Sequence, residues 1–139
     1  MSRKDTYHLV VKQKLIEEGW TITHDPYIFF NSTPQLATDL GAERLIAADK
    51  GREKIVVEVK SFLNLSQVAD LEKAIGQYNL YIWHLEEQDP DRALYVAVPS
   101  YAYEGIFSMP VGQMAVTRLQ MKLIVYAASG EGALQWITP

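Results

Sequence analysis

The sequence predicts a three-layer α/β/α domain built on a central mixed sheet. Three observations carry that expectation. Val68, Leu71, Ile75, Tyr78, Ile82 and Leu85 are spaced three, four, three, four and three apart, the period of one face of a helix. Ile55, Val56, Val57 and Val59 form a nearly continuous β-branched run, which suits a strand covered on both faces. Ala93–Val98 and Leu123–Tyr126 are further compact apolar runs. These runs alternate with helical patterns in the order helix, strands, long helix, strand, helix, strand, so helices fall on the faces of a mixed sheet. The 139 residues, 48% of them hydrophobic, make one domain over 1–139 with a core of its own.

Residues 4–18 form the first expected helix. Tyr7, Val10, Val11 and Leu15 recur at helical spacing with Lys14 among them, Asp5 caps or decorates the start, and Gly19 ends it. Glu17 and Glu18 read as a solvated last turn, with an acid near a metal as the alternative. Trp20–His24 alternates as a strand does, and Asp25-Pro26 signals a turn. Tyr27–Phe30 is an apolar run that Asn31–Pro34 breaks; it reads as an edge strand, its side chains as core first and partner surface second. Leu45–Ala48 is a short strand, and Gly51, between Lys50 and Arg52, turns the chain into a strand over Lys54–Lys60, making a hairpin. Ser66 is the expected N-cap of the long helix, which ends over Glu86–Asp89 before Pro90. Gly76 lies inside it, where glycine is costly unless it permits close packing. After the strand at Ala93–Val98, Pro99 stops the run, Tyr101–Phe107 forms a short helix, and Val111–Leu119 an amphipathic one. Leu123–Tyr126 is buried strand, Ser129–Gly132 a turn, and Ala133–Ile137 a terminal strand.

Composition narrows the functional classes. There is no cysteine, so no disulfide, thiolate metal site or cysteine nucleophile exists. His8, His24 and His84 match no zinc spacing; each reads as an ordinary histidine, His8 and His84 on helices. No apolar run reaches membrane-spanning length and the N-terminus lacks a signal-peptide pattern, so the expected location is the cytoplasm. A formal net charge of -4 argues against a broad basic nucleic-acid surface. A local cleft lined by lysine and arginine, or a partner that strengthens DNA binding, remains compatible with it.

The chemistry concentrates at the end of the central strand. Glu58 and Lys60 are two residues apart and point to one side of a strand. Burying them unpaired would be costly, so they form either a strand-end salt bridge or half of a metal-dependent phosphodiester-cleaving site. The second reading needs another acid. In the hairpin, Asp39 or Glu43 lies at the entry of the first strand and Glu58 near the exit of the second, and those ends are neighbours in an antiparallel pair. Asp39 is favoured, because a loop can turn its carboxylate inward, whereas Glu43 can pair locally with Arg44. Two carboxylates offer hard oxygen ligands to Mg²⁺, with Mn²⁺ as a substitute, and a lysine can position water or stabilise phosphate charge. Gln77 precedes Tyr78 at the edge of the helical stripe, facing the strand ends.

Asp39, the Glu58-Val-Lys60 triplet and Gln77-Tyr78 on the following helix resemble the PD-(D/E)xK nuclease superfamily. That resemblance implies a restriction-endonuclease-like fold, metal binding by Asp39 and Glu58, and roles for Lys60 in water attack and Gln77 in placing the lysine or the phosphate. The superfamily's upstream proline is absent, since Thr38 precedes Asp39. Over essentially its whole length the chain also resembles the cyanobacterial XisH family, through Gly19–Pro26, Asp39–Ala48, Val57–Phe62, Ala74–Tyr78, Glu87–Arg92 and Lys122–Tyr126. This second resemblance implies a controlling factor for excision of the fdxN DNA element by a site-specific recombinase during heterocyst differentiation, acting with a small XisI partner. Two functions follow: a Mg²⁺-dependent DNA endonuclease using Asp39, Glu58, Lys60 and Gln77, or a non-catalytic nuclease-like scaffold that binds a partner protein or the recombinase. Surplus aromatic residues, Tyr27–Phe30 and the Tyr101/Tyr103 pair, lead us to expect a homo- or hetero-oligomer.

Overall fold

The structure, a computed structural model, describes residues 2–47 and 51–139. Its elements run α1 (Arg3–Glu17), β1 (Thr21–His24), β2 (Tyr27–Phe29), β3 (Leu36–Thr38), β4 (Leu40–Ala47), β5 (Gly51–Val59), α2 (Gln67–Gln88), β6 (Arg92–Pro99), α3 (Ser100–Glu104), a 3₁₀ turn at Ile106–Ser108, α4 (Pro110–Leu119), β7 (Lys122–Tyr126) and β8 (Gln135–Ile137). Among the described residues six strands make the central sheet, in the order β1-β4-β5-β6-β7-β8. The sheet is mixed: β5–β6 and β6–β7 are parallel, and the pairings of β1 with β4, β4 with β5, and β7 with β8 are antiparallel.

Alternation along β5 divides the core in two. Ile55 and Val57 face the cluster built by Tyr7, Val11 and Leu15 of α1. Val56 faces the cluster built by Leu71, Ala74, Tyr78, Tyr81 and Leu85 of α2. Helices therefore cover both faces of the sheet, and β5 is buried between them, as its unbroken β-branched run requires. The buried stripe of α2 is turned slightly from the expected one. Ala74 and Tyr81 are interior, while Ile75 and Ile82 are only partly buried and Val68 is 44% exposed. Tyr81 earns its place by stacking on Phe29, ring centroids 5.6 Å apart.

Several boundaries move. The strand expected at Leu45–Ala48 begins at Leu40, and Ala48–Lys50 lie outside the described residues. The early start follows from Leu40 and Ala42, both fully buried, and from charges satisfied across the strand. Arg44 lies opposite Glu53 in register, bonds its carboxylate at 2.5 Å and rests 4.7 Å over the Trp20 ring. Tyr27–Phe29 pairs with Leu36–Thr38 in a separate two-stranded sheet and is not an edge of the central one. Its alternation buries Tyr27 and Phe29 and leaves Phe30 81% exposed. Ser2, not Asp5, caps α1, its hydroxyl accepting the Asp5 N–H at 3.1 Å. Glu18 is not a solvated end: its carboxylate accepts from the Leu134 N–H and the Trp136 indole, at 3.0 and 2.9 Å. Ser66 caps α2 as expected, accepting the Ala69 N–H at 3.2 Å. Gly76 meets nothing within 4 Å of where a Cβ would stand, so close packing inside this chain does not explain it. Gly112 is different; a Cβ there would approach the Ile106 carbonyl oxygen to 2.2 Å, so α4 lies against the 3₁₀ turn only because the side chain is absent.

Candidate functional site

The β4–β5 ladder pairs Leu40 with Val57. One step further along an antiparallel pair, Asp39 comes opposite Glu58. The ladder thus brings two carboxylates to one end of the sheet, beside the carboxyl end of β5, where open α/β sheets hold their ligands. Asp39 is fixed there by the backbone: its Oδ2 accepts the Val59 N–H at 2.7 Å. Lys60, just past β5, keeps its own N–H on the Ala97 carbonyl at 2.8 Å. Its ammonium sits 3.2 Å from a Glu58 carboxylate oxygen and also donates to the side-chain carbonyl of Gln77 on α2. Asp39, the Glu58–Lys60 pair and Gln77, separated along the sequence, therefore form one connected cluster.

Glu58 is the electrostatic centre of this cluster. It is only 8% exposed. Burial first, and then the neighbouring Asp39, push its carboxyl up to about 7, against the opposing pull of Lys60. Tyr81, one helical turn beyond Gln77, feels the same negative charge. Its hydroxyl is raised mainly by burial, with further contributions from Glu58 and Asp39.

Glu43 does not join this group. It lies opposite Lys54 in the β4–β5 register, and its carboxylate accepts from the Arg92 guanidinium at 3.1 Å. Arg92 also donates to Asp89 at 2.8 Å and to the carbonyls of Ile55 and Ala42 at 3.0 and 3.4 Å. Glu17 is exposed and pairs with Lys14 at 3.3 Å. Neither Glu17 nor Glu18 reaches the cleft.

Asp39, Glu58 and Lys60 line a cleft of about 400 Å³ between the N-terminal ends of α1 and α2. Its other walls hold Lys4 and His8 of α1, Lys73 of α2 and the Ser61–Asn64 segment. His8 is a member that sequence reading passed over. Its Nδ1 is 3.8 Å from Asp39 Oδ1, and its Nε2 is 3.0 Å from Asp25 Oδ1. Lys12 holds the other Asp25 oxygen at 2.7 Å. Burial works to raise the Asp25 carboxyl, but Lys12 and His8 together hold it below the usual range. The signal available in the sequence was the i, i+4 spacing of His8 and Lys12 on α1, which aims both at one turn.

Among the described residues no three histidine, aspartate or glutamate side chains converge on a metal position. The Asp39 and Glu58 carboxylates are neighbours, and a pair of that kind could hold Mg²⁺, which commonly takes one or two protein carboxylates and keeps several waters. A raised carboxyl beside a second carboxylate is also the electrostatic deficit that a divalent cation relieves. No helix among the described residues is long and apolar enough to cross a membrane.

The XisH protein family model matches residues 1–133. The chain is 36% identical to an XisH family protein from Nostoc punctiforme, whose crystal structure superposes with a TM-score of 0.85 over 96% of this chain and 100% of that one. It is 37% identical to an fdxN element excision controlling factor protein from Anabaena variabilis, with a TM-score of 0.85 over 96% of this chain and 99% of that one. No curated protein matches.

Proposed function

The chain belongs to the XisH family, and from that premise we propose that it controls excision of a DNA element, as the name of its Anabaena relative states for that protein, by acting as a Mg²⁺-dependent DNA endonuclease on a restriction-endonuclease-like fold. The observation that carries the reading is the meeting of Asp39, Glu58 and Lys60 in one cleft with Gln77 behind the lysine.

Asp39 and Glu58 would hold the cation, Mn²⁺ substituting for Mg²⁺. When bound it would supply Lewis-acid polarisation of a phosphodiester. The Asp39 carboxylate keeps one oxygen on the Val59 amide and turns the other toward the cleft. Lys60 brings a positive charge to the place where negative charge builds on the attacked phosphate, and Gln77 holds that ammonium in position. Lys4 and Lys73 at the cleft wall suit the flanking phosphates. The whole chain carries a net charge of -4, and the cleft lining sets Lys4, Lys60 and Lys73 against Asp5, Asp39, Glu58 and Asp70, so duplex binding would depend on the bound cation, would be weak and salt-sensitive, and a partner would strengthen it.

A second reading keeps the scaffold and drops the chemistry. Lys60 is already satisfied by Glu58 and Gln77, so the pair is complete as a structural bridge. Phe30 is 81% exposed and Trp83 59% exposed, and the Phe30–Asn31 backbone is bonded to Gln88 of α2. These two aromatics suit self-association or a small XisI-like protein. Cytoplasmic action during heterocyst differentiation accompanies either reading.

The deciding experiment is nicking of supercoiled DNA in Mg²⁺ or Mn²⁺, with and without the XisI-like protein, beside calorimetric titration of the metal. The nuclease reading expects metal-dependent nicking that Asp39→Ala and Glu58→Ala abolish together with metal binding. A protein that binds neither cation and leaves DNA intact, even with its partner, is a scaffold.

A further inference from the structure

Between β5 and α2 the chain crosses the mouth of the cleft as a short loop, Ser61–Ser66, and the loop is anchored at both ends. At its start the Tyr101 hydroxyl donates to the Ser61 carbonyl. Phe62 takes a left-handed backbone conformation, φ 50°, and its ring is buried against Phe107 with centroids 5.4 Å apart. A non-glycine residue in that region is uncommon and persists where its surroundings impose it. At the other end Asp70 grips Asn64 twice, through the backbone N–H at 3.2 Å and the side-chain amide at 2.5 Å. Gln67 ties the start of α2 to the Ile106 N–H at 3.2 Å.

Between these anchors stands Leu65, its side chain fully outside the protein at 108% relative exposure, and Leu63 is 37% exposed. A lone exposed leucine is ordinary on a protein surface. This one differs because the backbone on each side is fixed and the stretch just before it, Ser61–Asn64, lines the cleft that holds Lys4, Lys60 and Lys73. Four carboxylates, Asp5, Asp39, Glu58 and Asp70, share that lining, and the cation that Asp39 and Glu58 would hold offsets them where a phosphate enters.

We propose that the Ser61–Ser66 loop is a DNA-distorting wedge, which inserts Leu65 into the base stack beside the phosphate held in the cleft. The proposal deepens the nuclease reading and rests on it for the identity of the ligand. An apolar side chain pushed into a base step unstacks it and kinks the duplex, and burial of the side chain offsets part of the cost. A rigid loop loses little freedom on insertion, so more of the burial is realised as binding. The substrate class follows: duplex DNA at a pliable pyrimidine–purine step, or beside an unpaired base, where the cost of opening is lowest.

The test uses duplexes carrying 2-aminopurine at such a step, with the full chain in Ca²⁺, and Leu65→Ala beside Leu80→Ala, an exposed residue of α2 away from the loop. Leu65 makes no core contact, so its truncation leaves the fold intact. Wild type and Leu80→Ala should raise the fluorescence on binding, and Leu65→Ala should lose the rise. In Mg²⁺, Leu65→Ala should nick an intact duplex at least about tenfold more slowly, and a duplex with a preformed unpaired base at the wild-type rate. Binding without a fluorescence rise, or a rise unchanged in Leu65→Ala, overturns the wedge and leaves the cleft chemistry standing. A Leu65-dependent rise in a protein that never nicks removes the nuclease and keeps the wedge. Absence of any duplex binding overturns both. A change in self-association on light scattering with no change in fluorescence assigns Leu65 to a protein contact.

Discussion

Two clusters of buried charge sit on the same sheet, and they are finished differently. Toward the N-terminal end of β6, Arg92 is 8% exposed and is met by Glu43, Asp89 and the carbonyls of Ile55 and Ala42, with Tyr27 stacked 5.1 Å away. Each of the three guanidinium nitrogens has an acceptor. At the carboxyl end of β5, Glu58 is equally buried but has one cation and a carboxylate for neighbours. A fully answered buried charge is a structural tie, whereas one set against its own kind stores an unfavourable interaction that a ligand can relieve.

The contrast can be broken most severely at Arg92. Arg92→Ala leaves Glu43 and Asp89 without their partner and should destabilise the protein by about 3–5 kcal/mol, read from denaturant unfolding, with nothing gained by adding Mg²⁺. At the other cluster Lys60→Ala should slow nicking by at least about a hundredfold with little change in melting temperature, because no core cavity opens at a strand end. A large fall in melting temperature, in a protein that neither binds Mg²⁺ nor nicks DNA, would instead make Glu58–Lys60 a second structural tie.

A subtler test uses pH. The folded Glu58 carboxyl keeps its proton up to about 7, whereas the unfolded one releases it near 4.5. Stability from this group is therefore fully present below about 4.5 and is lost as pH rises through about 7, an effect on the order of a few kcal/mol. Thermal melts of the metal-free protein should fall across that window, and Glu58→Gln should flatten the fall. Mg²⁺ should restore stability above pH 7, where the ionised carboxylate binds it. The smallest effect concerns Gly76. With open space at the Cβ position, Gly76→Ala should stabilise the chain by up to about 1 kcal/mol. If melting does rise while self-association weakens, the glycine serves a partner's approach and not the fold.

How far the sequence disclosed this molecule depends on whether the information was local. The β-branched run of β5 and the helical period of α2 specify their elements directly, and the mixed sheet with helices on both faces follows from their order. The pairing of Glu58 with Lys60 was legible because two residues on one strand share a side. The early start of β4 was hidden, because Gly41, Glu43 and Arg44 break any apolar pattern; their place in a strand depends on Arg92, Glu53 and Trp20, which arrive from elsewhere. His8 was hidden for the same reason, since its approach to Asp39 is made by the packing of α1 on the sheet. Tyr27–Phe29 showed its strand character but not its sheet, because the partner strand at Leu36–Thr38 has only three residues and no marked alternation.

The hydrogen bond from the Val59 amide to the Asp39 carboxylate has a practical corollary. It ties a single backbone proton to a group that would change its electronic state when a cation or a phosphate arrives. The Val59 amide resonance would then report occupancy of the cleft, readable by NMR with no turnover and no label on the ligand. Titration with Mg²⁺ should move that peak early, and Asp39→Ala should both silence the response and hasten the exchange of that one proton with solvent.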